Sequence, residues 1–268
     1  MHGELHIDQW LQRAEPDFYT MFVNVWIPFN AWYVREYNDT HDRTCLDQVC
    51  SKSNAYRNKI KALLTGSSPE SVFFKNEIAL LQRELLAHPI PENSPLDFDK
   101  VLIVNNSQNV FQKDFDRYQF KWEYITNPQK KFKCIVTHKI TLITLATIEL
   151  TKWDELELQA NTDYQSINNE TISRKVMEYF KEIKPRICKP IILQPTPSGR
   201  KPKNAFTIDE TMQLYFENDI DLISKAIVEM IYQLRCMIFH GAINPNIACL
   251  PIYEHAYNIQ RMLIKELV

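Results

Sequence analysis

Aromatic residues recur at helical spacing through DFYTMFVNVWIPFNAWYVREY, where Phe18, Phe22, Trp26, Phe29 and Tyr33 share one face. That spacing predicts one long buried helix. Pro28 lacks a backbone donor and is expected to kink this helix or split it in two. Helical spacing continues over 45–64. A further helix starts at SSPES, with Ser68 as the cap and Pro69 in the first turn, and Phe74, Ile78, Leu81 and Leu85 mark its buried stripe. The Pro-rich HPIPENSP then interrupts the pattern.

Over about 100–160 the apolar period shortens to two. RYQFKWEYI sets Tyr118, Phe120, Trp122 and Tyr124 against Arg117, Gln119, Lys121 and Glu123 on the opposite face, as a half-buried strand does. FKCIVTHKITLITLATIEL and KVLIV complete the material for a small antiparallel sheet. Helical spacing resumes at Ile172, Val176, Phe180 and Ile183. KPIILQPTPSGRKPKN is expected to be a loop leading to the last two helices. The penultimate one carries its core stripe from Ile220 to Ile238, with Asn218 or Asp219 as cap and Gly241 as a left-handed stop. The expected architecture is therefore mainly α. Residues 1–96 supply the N-terminal helices of a bundle, 97–163 a β-rich insertion, and 164–268 the C-terminal helices.

Composition narrows the function classes. Four glycines cannot build a P-loop or a dinucleotide fingerprint. A net charge of −2 gives no field over the whole molecule, so any nucleic acid must meet a local patch. Six cysteines contain no CxxC pair, and no apolar run is long enough for a membrane span. A cytoplasmic protein with reduced thiols and no membrane partner is the expectation. His41, Cys45 and Cys50, with Cys134 and His138, match no common zinc spacing, so neither metal nor cofactor is expected.

The stretch YQLRCMIFHG places Arg235 and His240 at the end of the penultimate helix. In a regular helix five positions rotate the direction by about 140°, so convergence needs a long arginine, a loosened last turn or a second subunit. Arginine offers a permanently charged planar fork to phosphate oxygens, and histidine moves protons near neutrality. The bland alternative is a cation stabilised at a helix C-terminus, with Arg235 paired to a carboxylate such as Glu229 or Glu266. Two other arginine–histidine pairs share the spacing. Arg35 to His41 crosses a polar helix exit, and Arg83 to His88 has Glu84 beside the arginine.

In its context the third pair resembles the R-x4-6-H motif of the HEPN superfamily, and WIPFNAWY is similar to the first helix of some members. The resemblance covers the helical parts of the chain. It implies a HEPN-like helical bundle that forms a homodimer along the motif helices. For the activity it implies a metal-independent endoribonuclease, in which Arg235 and His240 of two copies meet at the scissile phosphate and the RNA 2′-hydroxyl attacks. A toxin or defence effector, held by an antitoxin or other regulatory protein, is the setting this suggests. Members of the RNase type commonly carry Asn, Asp or His after the arginine, whereas Cys236 stands here. That leaves a tolerated variant or a decayed site. The alternative function is a non-catalytic HEPN-like module that binds RNA, nucleotide or a partner protein.

Candidate RNA contacts are Arg200, Lys201 and Lys203 in the basic SGRKPK segment. Asn30, the one polar residue amid the aromatic helix, either bonds to nearby backbone or supports the site. The aromatic face around Trp122 could stack bases or serve as the sheet's own core. Cys236, one turn before His240, is also a conceivable nucleophile.

Overall fold

The computed structural model describes residues 16–92, 94–105, 110–125, 131–182, 186–265 and 267. The chain divides into two compact units, Met1–Leu102 with Lys189–Val268, and Ile103–Cys188. Among the described residues, no helix is long and apolar enough to cross a membrane.

The first unit begins with α1 (Phe18–Tyr37), capped by the Asp17 carboxylate and ended by Asn38 in the left-handed region at φ 49°. It runs unbroken through Pro28, so of the kink or split expected there the split does not occur. An interior proline costs about 3 kcal/mol. Burying an aromatic side chain returns roughly 1.5–3 kcal/mol, and α1 buries Phe22, Trp26, Phe29, Trp32 and Tyr33. Next come α2 (Asp42–Ser51), α3 (Ala55–Thr65) and α4 (Pro69–Ala87). The Ser68 hydroxyl accepts the Ser71 N–H, so the predicted cap is in place. A buried arginine joins α3 to a later helix: Arg57 donates to Ser224 and to the Asp221 carboxylate.

The second unit holds β1 (Ile103–Asn105), β2 (Val110–Phe115), β3 (Tyr118–Ile125), β4 (Lys131–His138) and β5 (Thr144–Leu150). Three helices follow, α5 (Glu155–Ala160), α6 (Thr162–Gln165) and α7 (Glu170–Glu182), and then β6 (Arg186–Cys188). Strands β2 to β5 form an antiparallel meander. Phe120 and Trp122 are buried under Val176, Tyr179 and Phe180 of α7, and the Trp153 ring stacks on Phe180 at 4.2 Å. The inner aromatic face is therefore the sheet's core and cannot receive bases. Because α7 covers that face, the unit extends past the expected boundary at residue 163 to Cys188. KVLIV does not join the meander; β1 pairs instead with β6, Ile103 opposite Cys188.

The chain then returns to the first unit through β7 (Ile192–Leu193), β8 (Ala205–Asp209) and β9 (Leu214–Glu217), a small antiparallel sheet in the order β7-β9-β8. Part of this lies where a loop was expected. Phe216 of β9 packs on Phe98 at 5.3 Å, which places the sheet against the helical core. The final elements are α8 (Ile220–Phe239), a 3-10 turn (Ile247–Cys249) and α9 (Leu250–Ile264). Helix α9 carries Tyr253 against Phe22 of α1, and His255 against Glu77 of α4. A helical core with small antiparallel sheets is the architecture.

Candidate active site at the end of helix α8

Helix α8 starts at Asp219, whose carboxylate accepts the Leu222 N–H. Its inner face buries Ile223, Ile227, Met230, Ile231 and Leu234. At the other end the backbone turns left-handed at Gly241, φ 62°. There Ala242 N–H donates to the Met237 carbonyl at 2.8 Å and Gly241 N–H to Ile238 at 3.1 Å. This pair of bonds satisfies carbonyls that a helix end otherwise leaves open. His240 is the cap residue (φ −97°, ψ 2°), so the geometry of a regular helix no longer fixes its direction.

Arg235 lies one residue outside the buried stripe, with its side chain 17% exposed. Its Nη2 meets Asp42 Oδ2 at 2.8 Å. Asp42 opens α2, and its other oxygen accepts the Tyr33 hydroxyl at 2.8 Å and the Asn30 amide at 3.1 Å. Burial pushes the Tyr33 hydroxyl well above the usual phenol range, so it remains a donor to that carboxylate. The Asn30 amide also donates to Tyr33. The guanidinium is flanked by rings, 5.5 Å from Trp26 and 4.2 Å from Phe239. Arginine Nε is buried with no partner among the described residues, so that N–H is enclosed rather than open to a ligand.

The surroundings are laid out in layers. Glu229 does not pair with Arg235; Arg43 takes both of its oxygens, at 2.6 and 2.8 Å. Arg43 also lies 5.5 Å from the Tyr232 ring. Burial, with Cys236 beside it, pushes the Tyr232 hydroxyl up to about 12. Cys236 is half-buried one turn from Tyr232. His240 is exposed and makes no side-chain hydrogen bond or ion pair among the described residues. No such bond joins it to Arg235.

Of the residues singled out in the sequence, Arg235 and Asn30 are brought together through Asp42. Arg200, Lys201 and Lys203 are exposed in the β7–β8 connection, which Thr196 closes by bonding Arg200. Strand pairing puts Ala205 opposite Glu217, just before α8 begins. Arg235 stands about 22 Å farther along the helix axis, so the basic segment is anchored at the opposite end of α8. The two competing pairs are occupied otherwise. Arg83 Nε and Nη2 both bond Glu84, and His41 Nδ1 bonds Asp39. Cys45 is buried with its thiol directed to the Asp39 carbonyl, and Cys50 points to Glu229. No group of three or more metal-ligating side chains occurs among the described residues.

Asp42 is the residue that sequence reasoning missed, because nothing local marks it: it follows a histidine at an ordinary helix start. Tyr33 was visible only as a core aromatic. No family model, curated protein or solved structure matches this chain.

Proposed function

We propose that this chain is a metal-independent endoribonuclease of HEPN type, acting as a homodimer with Arg235 and His240 at a shared cleft. The observation that supports it best is the way Arg235 is held. A carboxylate, itself fixed by Asn30 and Tyr33, orients the guanidinium between two rings. Such preorganisation suits stabilising charge that develops on a phosphate. His240, exposed on the same helix end, is the residue type able to move protons near neutral pH.

In this reading, one His240 takes the proton of the RNA 2′-hydroxyl. The O2′ lone pair forms a bond to phosphorus and the bond to the 5′-oxygen breaks. His240 of a second copy delivers a proton to that leaving oxygen. Arg235 from each copy carries the added negative charge on the phosphate oxygens. The products end in a 2′,3′-cyclic phosphate and a 5′-hydroxyl, and DNA is inert. The exposed Phe239 and half-buried Ile238 and Tyr232 give α8 an apolar flank for the second copy.

One observation favours the non-catalytic alternative, a module that binds RNA, nucleotide or a partner protein. Asp42 compensates the charge of Arg235, which weakens its pull on a phosphate. A single assay separates the two readings. Purified protein is incubated with single-stranded RNA in EDTA, beside Arg235→Ala and His240→Ala. Cutting by the wild type that both substitutions abolish, with cyclic phosphate ends, supports the nuclease. Binding without cutting supports the module, and cutting that persists in both variants defeats the assignment.

A further inference from the structure

Beyond the helix end lies a cavity of about 670 Å³ that the reaction above does not use. Its walls come from the turn that follows α8 and from the Pro-rich loop that follows α4. Ala242 belongs to this wall and is tied to α8 by its bond to Met237. Two virtual bonds separate its Cα from that of His240, so the two are within about 7.6 Å. The cavity wall therefore begins two residues from the proposed proton carrier, which does not itself line it. The turn is held from several sides: Asn246 caps the 3-10 turn by accepting the Cys249 N–H, and its carbonyl accepts the Tyr19 hydroxyl.

The lining chemistry selects a ligand class. Pro89, Pro91 and Ile243 offer flat or apolar surface, while His88, Glu92 and Asn244 offer polar groups. No lysine or arginine lines the cavity, and a carboxylate does, so a phosphate is disfavoured. Glu92 and the Asn244 side chain have no hydrogen-bond or ion-pair partner among the described residues. What fits is a neutral planar ring presenting N–H donors. Proline and histidine surfaces stack such a ring, and the volume is in the range of small-molecule sites.

We infer that this cavity is a nucleobase subsite for guanine, with Glu92 as its specificity-determining residue. Ionised carboxylates are acceptors only, with two oxygens side by side. Guanine alone presents two adjacent donors, N1–H and N2–H, on its Watson–Crick edge. Adenine and cytosine each set a ring nitrogen acceptor beside their amino group, and uracil flanks its single N–H with two carbonyls. Those acceptors would face a carboxylate oxygen. Asn244 can then donate to guanine O6 or N7, as amides do at purine edges. This inference rests on the ribonuclease reading for its biological use, though base binding itself does not require cutting.

The test uses the full chain carrying His240→Ala and the four free ribonucleosides, which lack phosphate and so leave Arg235 out. Guanosine is expected to shift the backbone amide signals of His88, Ile90, Ala242 and Asn244 saturably. It should bind at least ~10-fold more tightly than the other three, the discrimination a bidentate base contact supplies. Glu92→Gln, at an exposed loop position, should remove the preference while leaving the rest of the amide spectrum in place. In otherwise wild-type protein the same change should scatter cleavage that is otherwise confined to positions next to guanosine. Equal binding of all four nucleosides, or no shift at these amides, overturns the inference even if RNA is cut. Guanosine binding by a protein that never cuts RNA upholds the pocket and refutes the nuclease.

Discussion

Asp42 stands between two roles, and a single atom change separates them. As a carboxylate it both orients Arg235 and offsets its charge. Asp42→Asn keeps the shape and an oxygen for the Tyr33 hydroxyl but loses the ion pair. If orientation matters more, the maximum cleavage rate of Asp42→Asn falls about 10- to 100-fold, since misplacing a reacting group by an ångström costs on that order. Its melting temperature should stay close to wild type. A variant that cuts RNA faster would mean that Asp42 acts chiefly as a brake. Steady-state rates over a range of RNA concentrations decide between them, because loss of orientation lowers kcat more than it raises KM.

Asp221, also at residue scale, couples the fold to acidity. Lys61, Lys225 and the buried Arg57 hold its carboxyl well below the usual carboxylate range. Its folded-state pKa is depressed, so its contribution is full above about pH 4, the unfolded value, and is lost as pH falls through the folded value. Denaturation midpoints at pH 7, 5 and 3 should drop at the last step. Asp221→Asn should be less stable than wild type at pH 7 and show a shallower fall. The side chain is about half exposed, so solvent screens much of the effect.

At the scale of elements, the end of α8 fixes where His240 points, and Gly241 fixes that end. Its φ of 62° is costly for any residue with a Cβ, while a Cβ placed there meets nothing within 4 Å. Gly241→Ala therefore tests conformation alone. It should lower stability by about 1–2 kcal/mol and reduce RNA cleavage through His240 without displacing Arg235. Thermal melting and the cleavage rate together check this.

This helix was legible from sequence because spacing, cap and stop agree on it. So was α4, from its Ser-Pro start. The same signals could not show that Pro28 is tolerated, since the aromatic burial that outweighs it is tertiary. Nor could they assign α7 to the sheet: periodicity says which face is apolar and is silent on what covers it. The small sheet hides because β7 lies inside the Pro-rich stretch and its partners β8 and β9, just beyond it, are only five and four residues long. Within the candidate site, Arg235 and His240 stood out by their place at a capped helix end. Asp42 did not, because its meeting with Arg235 depends on how α2 packs against α8.

For the whole molecule, the chain path has a thermodynamic consequence. The first unit is assembled from both ends of the sequence, and the second occupies the interval between them. Where the chain leaves and returns, Lys189 N–H bonds the Leu102 carbonyl at 2.8 Å, and β1 pairs with β6 immediately beyond. The ends of the excursion are thus already together. Loop-closure entropy grows only slowly with length, so the helical core loses little if the excursion unfolds. Each unit also has its own buried cluster, around Trp122 and Phe180 in one and around Trp26 and Tyr253 in the other. Phe180→Ala removes a ring stacked on Trp153 and should cost the second unit about 3–5 kcal/mol. Amide signals from Ile103–Cys188 should then disappear at lower temperature or urea, while those of α1, α8 and α9 keep their wild-type midpoint. Between the two midpoints the protein should still cut RNA through Arg235 and His240. A single transition moving as one, with cleavage lost at the new midpoint, would mean that the two cores are one cooperative structure and that the insertion sustains the site.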